Sequence, residues 1–316
     1  NWLQMQATWL YLEPIFSSED IMRQMPVEGK LFKAVDAVWR EAMQNTFDAP
    51  GVIVTARREG LLDSLINANG KLDTIQKGLA DYLETKMVAF PRFFFLSADE
   101  LLEILAETKE PRKVQPHMKK CFDGIDKLEF QDGSDSSFQE LDITACLDAK
   151  GERIPFEYEA CNHKLINPKD SGGNVEQWLV EVEIIMKKSL AYTIDNSYDD
   201  FQKKNFMDWI KLWQGQVILA VNQIMWTSRI EASINEGQII GAEKAITNLA
   251  NEIAEEVLAT VKLVRTKISK ALRTACGALV VLHVHNRDTT FMLAKVGVES
   301  TTDFDLLAQL RYYTQQ

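Results

Sequence analysis

The chain has 316 residues, with 35 Lys and Arg against 46 Asp and Glu, a formal net charge of −11, and 46% hydrophobic residues. That composition supports a packed core and excludes a disordered chain. The acidic balance speaks against general nucleic-acid binding, which needs basic side chains to neutralise phosphates, and no run of about 18 apolar residues marks a membrane span.

Fifteen Gly and eight Pro in this length favour long helices over a turn-rich β fold or a Gly-rich nucleotide-binding fold. The opening run Trp2 to Leu12 reads as a helix that Pro14 ends or kinks. Ser17 and Asp20 have capping-box spacing. Pro26 suits the first turn of a helix reaching about Thr46, with Leu31, Val35, Val38 and Trp39 on its apolar face. Asp48-Ala49-Pro50-Gly51 is a turn.

From about Arg58 to Val88, Leu61, Leu62, Leu65, Ile66, Leu72, Ile75, Leu79, Tyr82 and Leu83 recur at spacings of three and four, the helical period. Pro91 breaks that pattern, and Phe93-Phe94-Phe95-Leu96 reads as an extended, buried connector. Ser97 and Glu100 form a second capping-box pattern, opening a helix through Leu105. A further helix from about Arg112 to Ile125 is expected.

Helical periodicity then disappears. Lys127 to Phe130, Leu141 to Leu147 and Arg153 to Tyr158 alternate with period two and are punctuated by Asp132-Gly133 and Lys150-Gly151. They predict a small antiparallel β unit, with Pro155 placing its strand at an edge. Residues 131–159 hold eight acids and two bases, a net of −6, more than half of the chain's excess charge. The domain reading is therefore 1–126 helical, 127–160 a β insertion, and 161–316 helical.

Asn174, with Gln177 three residues on, caps the next helix, whose face is Val175, Trp178, Leu179, Val182, Ile185, Met186, Leu190 and Ile194. A helix through Phe206, Trp209, Ile210 and Trp213 is expected to end near Gly215, and another runs from Val217 to Ile234. The longest stripe is Ile246, Leu249, Ile253, Val257, Val261, Val264, Ile268 and Leu272, followed by a helical stretch from Ala278 through His285.

Little in these residues suggests chemistry. Gly29-Lys30 and Gly70-Lys71 lack the remainder of a phosphate-binding loop, and no G-x-G-x-x-G occurs. His283 and His285 are the sharpest catalytic lure: two residues apart on a strand, they can ligate one metal, whereas on a helix they splay about 200° apart. The surrounding pattern is helical, so a buried helix with one packed and one hydrogen-bonded imidazole is expected. His117 and His163 stand alone. Cys121, Cys146, Cys161 and Cys276 show no CxxC spacing and read as reduced thiols of an intracellular protein. The acids of the β unit, Asp142, Asp148 and Glu152 among them, are a candidate contact surface for a basic partner.

Several blocks, in order along nearly the whole chain, resemble the linker region of dynein heavy chains, and specifically axonemal ones. They are Trp9-Leu10-Tyr11-Leu12-Glu13-Pro14-Ile15-Phe16, Phe90-Pro91-Arg92-Phe93-Phe94-Phe95-Leu96-Ser97, Glu100 to Leu105, Val114 to His117, and Lys120-Cys121-Phe122. Val175 to Leu179, Gln216-Val217 and Trp226-Thr227 follow, then Val284-His285-Asn286-Arg287-Asp288, Asp303-Phe304, and Gln309-Leu310-Arg311-Tyr312-Tyr313. The first block looks most like inner-arm heavy chains. The chain departs from the family at Leu306 and Thr314, where Trp is usual, and at Asn286, where Ala is usual.

The resemblance implies a mainly α fold, an elongated rod of packed helical bundles with a small antiparallel β-hairpin insertion, ending just before the first AAA+ module. It implies a mechanical linker, or lever, of a microtubule motor, one that contacts the AAA+ ring of its own heavy chain and transmits the ATP-driven power stroke in a ciliary or flagellar axoneme. ATP and Mg would belong to the ring, and the microtubule would be reached through the stalk; no cofactor or metal is expected in these residues, and the chain reads as a segment of a larger polypeptide. On this reading His285, Arg287 and Asp288 are contact candidates, and Arg311, Tyr312 and Tyr313 form the joint to the ring. The helical stripes alone fit equally well a non-motor scaffold or adaptor rod.

Overall fold

The computed structural model describes every residue except 107, 109, 136, 315 and 316, and the backbone alone of 238 and 240. The chain forms two compact units: residues 1–144 with 165–183, and residues 145–164 with 184–316.

In the first unit, α1 (Trp2–Phe16), α2 (Glu19–Gln24) and α3 (Pro26–Asp48) lead through the single turn α4 (Val52–Ala56) to α5 (Leu61–Ala89). Phe32, Val35, Trp39 and Ala42 of α3 and Leu65, Leu72, Ile75, Leu79 and Leu83 of α5 are buried, and α3 packs against α5. Their spacing is the sequence stripe made physical: side chains three and four apart stack on one face. Trp9 adds its ring against Trp39, centroids 5.4 Å apart, and donates its indole N–H to Asp36 Oδ1 at 3.2 Å.

Pro14 does not end α1, which continues to Phe16. One lost N–H near a helix terminus is a small defect, and Phe16 gains a stacked contact with Phe32 at 5.2 Å. The Ser17–Asp20 box does not form either. Ser17 Oγ donates back to Glu13, Ser18 Oγ donates to the Ala106 carbonyl, and buried Asp20 accepts from Thr108 Oγ1 and pairs with Arg23. By contrast, Ser97 and Glu100 make the expected reciprocal pair at the start of α6 (Ala98–Ala106), Ser97 N–H to Glu100 Oε2 at 3.0 Å and Glu100 N–H to Ser97 Oγ at 3.3 Å.

The expected extended connector is a 3-10 helix, Pro91–Phe95. Phe93 is fully buried while Phe94 and Phe95 are exposed, because one turn of 3-10 helix aims three consecutive rings in three directions. The helix expected over 112–125 is a 3-10 segment, Pro111–His117, followed by the single turn α7 (Met118–Cys121); Pro116 has no N–H to give an α-helical bond.

The β unit is a three-stranded sheet of β1 (Lys127–Phe130), β2 (Ile143–Leu147) and β3 (Arg153–Pro155), in that spatial order. β2 and β3 are antiparallel, with Ala145 opposite Pro155 and Leu147 opposite Arg153. Pro155 does sit on an edge strand. The central strand is buried from Ile143 to Cys146 rather than alternating.

α8 (Val175–Lys203) begins in the first unit and continues in the second. The second unit then has α9 (Phe206–Trp209), α10 (Gly215–Ile240), α11 (Ala242–Val264), α12 (Lys270–Val296) and α13 (Phe304–Leu307). α10, α11 and α12 pack on one another around Trp226, Ile230, Ile246, Leu249, Ile253 and Leu293. Leu306 is fully buried in that core.

Two boundaries differ from the sequence reading. α9 is a single turn, and Gly215 opens α10 rather than closing a preceding helix. The long stripe is interrupted after Val264, and Ser269 caps a new helix by accepting from the Leu272 N–H at 3.1 Å. Ile268 therefore falls in a connection and Leu272 on α12.

Candidate functional site

The contact candidates of the β unit separate once their surroundings are known. Asp142 is 2% exposed. Its carboxylate accepts from the Gln139 N–H at 2.6 Å and from Asn167 Nδ2 at 2.9 Å. It pins the loop before β2 and offers nothing to a partner.

Asp148 and Glu152 bracket the β2–β3 turn in the second unit. Asp148 Oδ1 accepts from the N–H groups of Lys150 and Glu152, at 2.8 and 2.7 Å. Gly151 takes φ +84°, a conformation that suits glycine. Glu152 Oε1 accepts from the Gly215 N–H at 2.7 Å. That bond satisfies one free N–H of α10's first turn and sets a carboxylate at the positive end of the helix dipole. The turn, the start of α10 and Ala271 and Ala275 of α12 enclose a groove of about 280 Å³. Gly215 permits the close approach, since a Cβ there would lie 3.0 Å from Ala275 Cβ and 3.4 Å from Glu152 Oε1.

α12 carries the other candidates. His285 and Asp288 are exposed, and Arg287 pairs with neighbouring Asp288 at 2.7 Å. His283 is 1% exposed, its Nε2 meets Asn222 Oδ1, and its ring stacks on Phe206 at 5.2 Å. The two histidines thus point apart, as a helix requires, and among the described residues no group of three metal-ligating side chains forms. Burial, with Arg229 adding to it, lowers the His283 pKa to about 4, so the ring is neutral.

Asn286 is buried and donates to Gln223 Oε1 at 2.7 Å. Trp226 Nε1 donates to Thr290 Oγ1 at 3.0 Å. These contacts and the Asn222–His283 pair rise together along both helices, so α10 and α12 run in the same direction.

The candidate joint is a strap laid on α10. The Tyr312 N–H donates to Thr227 Oγ1 at 3.0 Å, and the Tyr313 hydroxyl donates to Glu231 Oε1 at 2.6 Å. Arg311 Nη1 lies 3.7 Å from the same Glu231 oxygen, and its guanidinium is 5.8 Å from the Tyr313 ring centroid. The Glu231 carboxylate holds the Tyr313 pKa above the usual tyrosine value.

The cysteines are free thiols. Burial pushes Cys121 and Cys146 up to about 11 and raises Cys276 as well, which keeps them protonated and unreactive. His117 is buried and His163 Nδ1 lies 2.8 Å from the Lys164 carbonyl oxygen; among the described residues neither joins a metal-ligating group.

Residues 1–197 match the family described as Dynein heavy chain, N-terminal region 2. The chain belongs to the dynein heavy chain family. It is 46% identical over 313 residues to human dynein axonemal heavy chain 12, which covers 99% of this chain and 10% of that protein. It is 42% identical to mouse dynein axonemal heavy chain 3 over 312 residues, 99% of this chain and 7% of that protein. Mouse dynein axonemal heavy chain 1 is likewise 42% identical over 313 residues, 99% of this chain and 7% of that protein. The chain therefore spans about a tenth or less of the length of these relatives.

Sequence reasoning missed three participants in this dynein segment: Gly215, Thr227 and Glu231. Glu231 is one of many acids on helices, and its partner lies 82 residues away, so no local pattern marks it.

Proposed function

We propose that this chain is a mechanical linker segment of an axonemal dynein motor, a lever that contacts the AAA+ ring of its own heavy chain and transmits the ATP-driven power stroke. Similarity to axonemal heavy chains across 99% of the chain carries the reading. On this reading ATP and Mg bind in the ring, the stalk meets the microtubule, and the protein works in a ciliary or flagellar axoneme.

A lever must pass force along itself without bending at every turn. α8, α10 and α12 have 29, 26 and 27 residues, about 40 Å each at 1.5 Å per residue. Their buried seams hold them against neighbours, each fully buried Leu or Ile contributing about 1.5–3 kcal/mol. A lever also needs surfaces whose affinity for the ring differs between nucleotide states, since only differential binding shifts an equilibrium. Asp148, Glu152, His285, Arg287 and Asp288 are candidates for such surfaces, and the strap at 311–313 for the joint.

The test is a distance measurement in the complete motor. A fluorophore at position 258, where Leu258 is exposed on α11, is paired with a second on the ring. Transfer efficiency is expected to change between nucleotide-free and ATP-bound states. An unchanged efficiency from position 258 and from a second exposed site, position 66 on α5, overturns the lever reading.

A further inference from the structure

We infer that Thr227 and Glu231 of α10 form a clasp that holds residues 311–313 on the helical bundle, and that this clasp opens and closes as a local unit while the bundle stays folded.

The geometry is that of a built receptor. Thr227 is 1% exposed. Its hydroxyl donates to the Gln223 carbonyl at 3.0 Å, within its own helix. That commitment turns the oxygen's lone pairs outward, where one receives the Tyr312 N–H. One hydroxyl thus serves as donor inside the helix and acceptor to the strap. Glu231 sits four residues on, one turn along the same face of α10. Its Oε1 gathers the Tyr313 hydroxyl and the Arg311 guanidinium. Three consecutive strap residues are therefore read by two side chains of one helix face, one through the backbone and two through side chains. The guanidinium beside the Tyr313 ring ties the two side-chain contacts together.

Release is built in by what the strap lacks. Tyr312 is 40% exposed and Tyr313 59%, so much of their ring surface stays in solvent and polar contacts carry the segment. Segments held that way open at a free energy well below that of the whole domain. Leu306, a few residues earlier, is fully buried in the bundle core, so the fixed point lies before the strap and opening need not disturb it. The clasp is a property of the chain itself; only its significance as a joint rests on the lever reading.

Hydrogen exchange on the 316-residue chain tests the clasp without any motor assay. The Tyr312 amide is expected to exchange at least tenfold slower than in a free peptide. Its rate should be insensitive to low denaturant, while core amides of α10 follow global unfolding. Thr227→Val keeps the shape and removes the acceptor, and Glu231→Ala removes the carboxylate. Each is expected to bring the Tyr312 amide toward the free-peptide rate, with α10 and α12 protection unchanged. Thr227→Ser, which keeps the hydroxyl, is expected to retain the slow rate. Free-peptide exchange in the unaltered chain, or Tyr312 protection that Thr227→Val and Glu231→Ala both leave intact, overturns the inference, whatever the distance measurement in the motor shows.

Discussion

Arg92 grips Glu183 with two donors, Nε to Oε2 at 3.0 Å and Nη2 to Oε1 at 3.2 Å. The same guanidinium donates through Nη1 to the Cys121 carbonyl at 3.1 Å and lies 4.7 Å from the Phe122 ring centroid. One side chain on the 3-10 turn after α5 thereby joins α7 to α8 within the first unit. The planar fork is what allows this, since lysine has neither the geometry nor the face.

Arg92→Lys is accordingly expected to behave much like Arg92→Ala. Both should cost about 2 kcal/mol of unfolding free energy, in the range for charge-assisted bonds at partly buried sites. Urea unfolding of the 316-residue chain measures it. A loss below about 0.5 kcal/mol for Lys would show that the pair behaves as an ordinary surface bridge.

Two acids of the β unit, Asp142 and Glu152, are expected to respond differently when neutralised. Asp142→Ala leaves the Gln139 N–H and Asn167 amide without their buried acceptor, a loss of about 1–3 kcal/mol. Glu152→Gln keeps an acceptor for the Gly215 N–H and should be nearly neutral for stability. Glu152→Ala removes the acceptor at α10's first turn and should cost about 1 kcal/mol, the scale of a lost cap. Thermal unfolding of the three variants ranks them, and an Asp142→Ala variant as stable as Glu152→Gln contradicts the assignment of Asp142 to the interior.

How much of this was legible in the sequence depends on how far each partner lies along the chain. The Ser97–Glu100 box forms because both of its bonds are local. The same spacing at Ser17–Asp20 fails because Thr108 and the Ala106 carbonyl, 88 residues away, take Asp20 and Ser18. The stripe from Ile246 to Leu272 located the core faces of α11 and α12 but hid the break between them, since apolar spacing continues through a connection that Ser269 ends with a local cap. Glu152 was legible as an acid near a turn, but its bond to Gly215, 63 residues on, was not. His283 and His285 lie on a helix and diverge as its geometry requires, but His285 is exposed rather than packed, and only the fold supplies Asn222 and Phe206, which decide what His283 does.

Gly215→Ala probes the contact that local patterns missed. The added methyl would approach Ala275 Cβ at 3.0 Å, tighter than ordinary van der Waals contact, and the helix start must shift to relieve it. The higher helix propensity of alanine offsets part of that cost. A net loss of about 1 kcal/mol is expected, as for modest overpacking, together with faster exchange of the residue 215 amide as its bond to Glu152 lengthens. A stabilised variant with an unchanged amide would show that the groove wall yields freely.

His283 makes stability depend on pH, and the sign follows from its environment. Its pKa is lowered from 6.5 to about 4 by burial first and Arg229 second. Between those values the unfolded chain binds the proton and the folded chain does not, so this contribution is complete above pH 6.5 and is lost as pH falls toward 4. Each unit of depression corresponds to about 1.4 kcal/mol, so a loss of about 3 kcal/mol is expected across the window. Carboxylates titrate in the same range, so the comparison is with a variant lacking only this pair. Replacing both partners, His283→Leu with Asn222→Leu, removes the titrating ring and leaves no orphaned amide. Urea unfolding at pH 7, 6, 5 and 4 should show the variant losing stability less steeply on acidification than the unaltered chain. Parallel slopes for the two proteins would mean that His283 is protonated in the folded chain as readily as in the unfolded one, and that its burial between Asn222 and Phe206 does not exclude the charge.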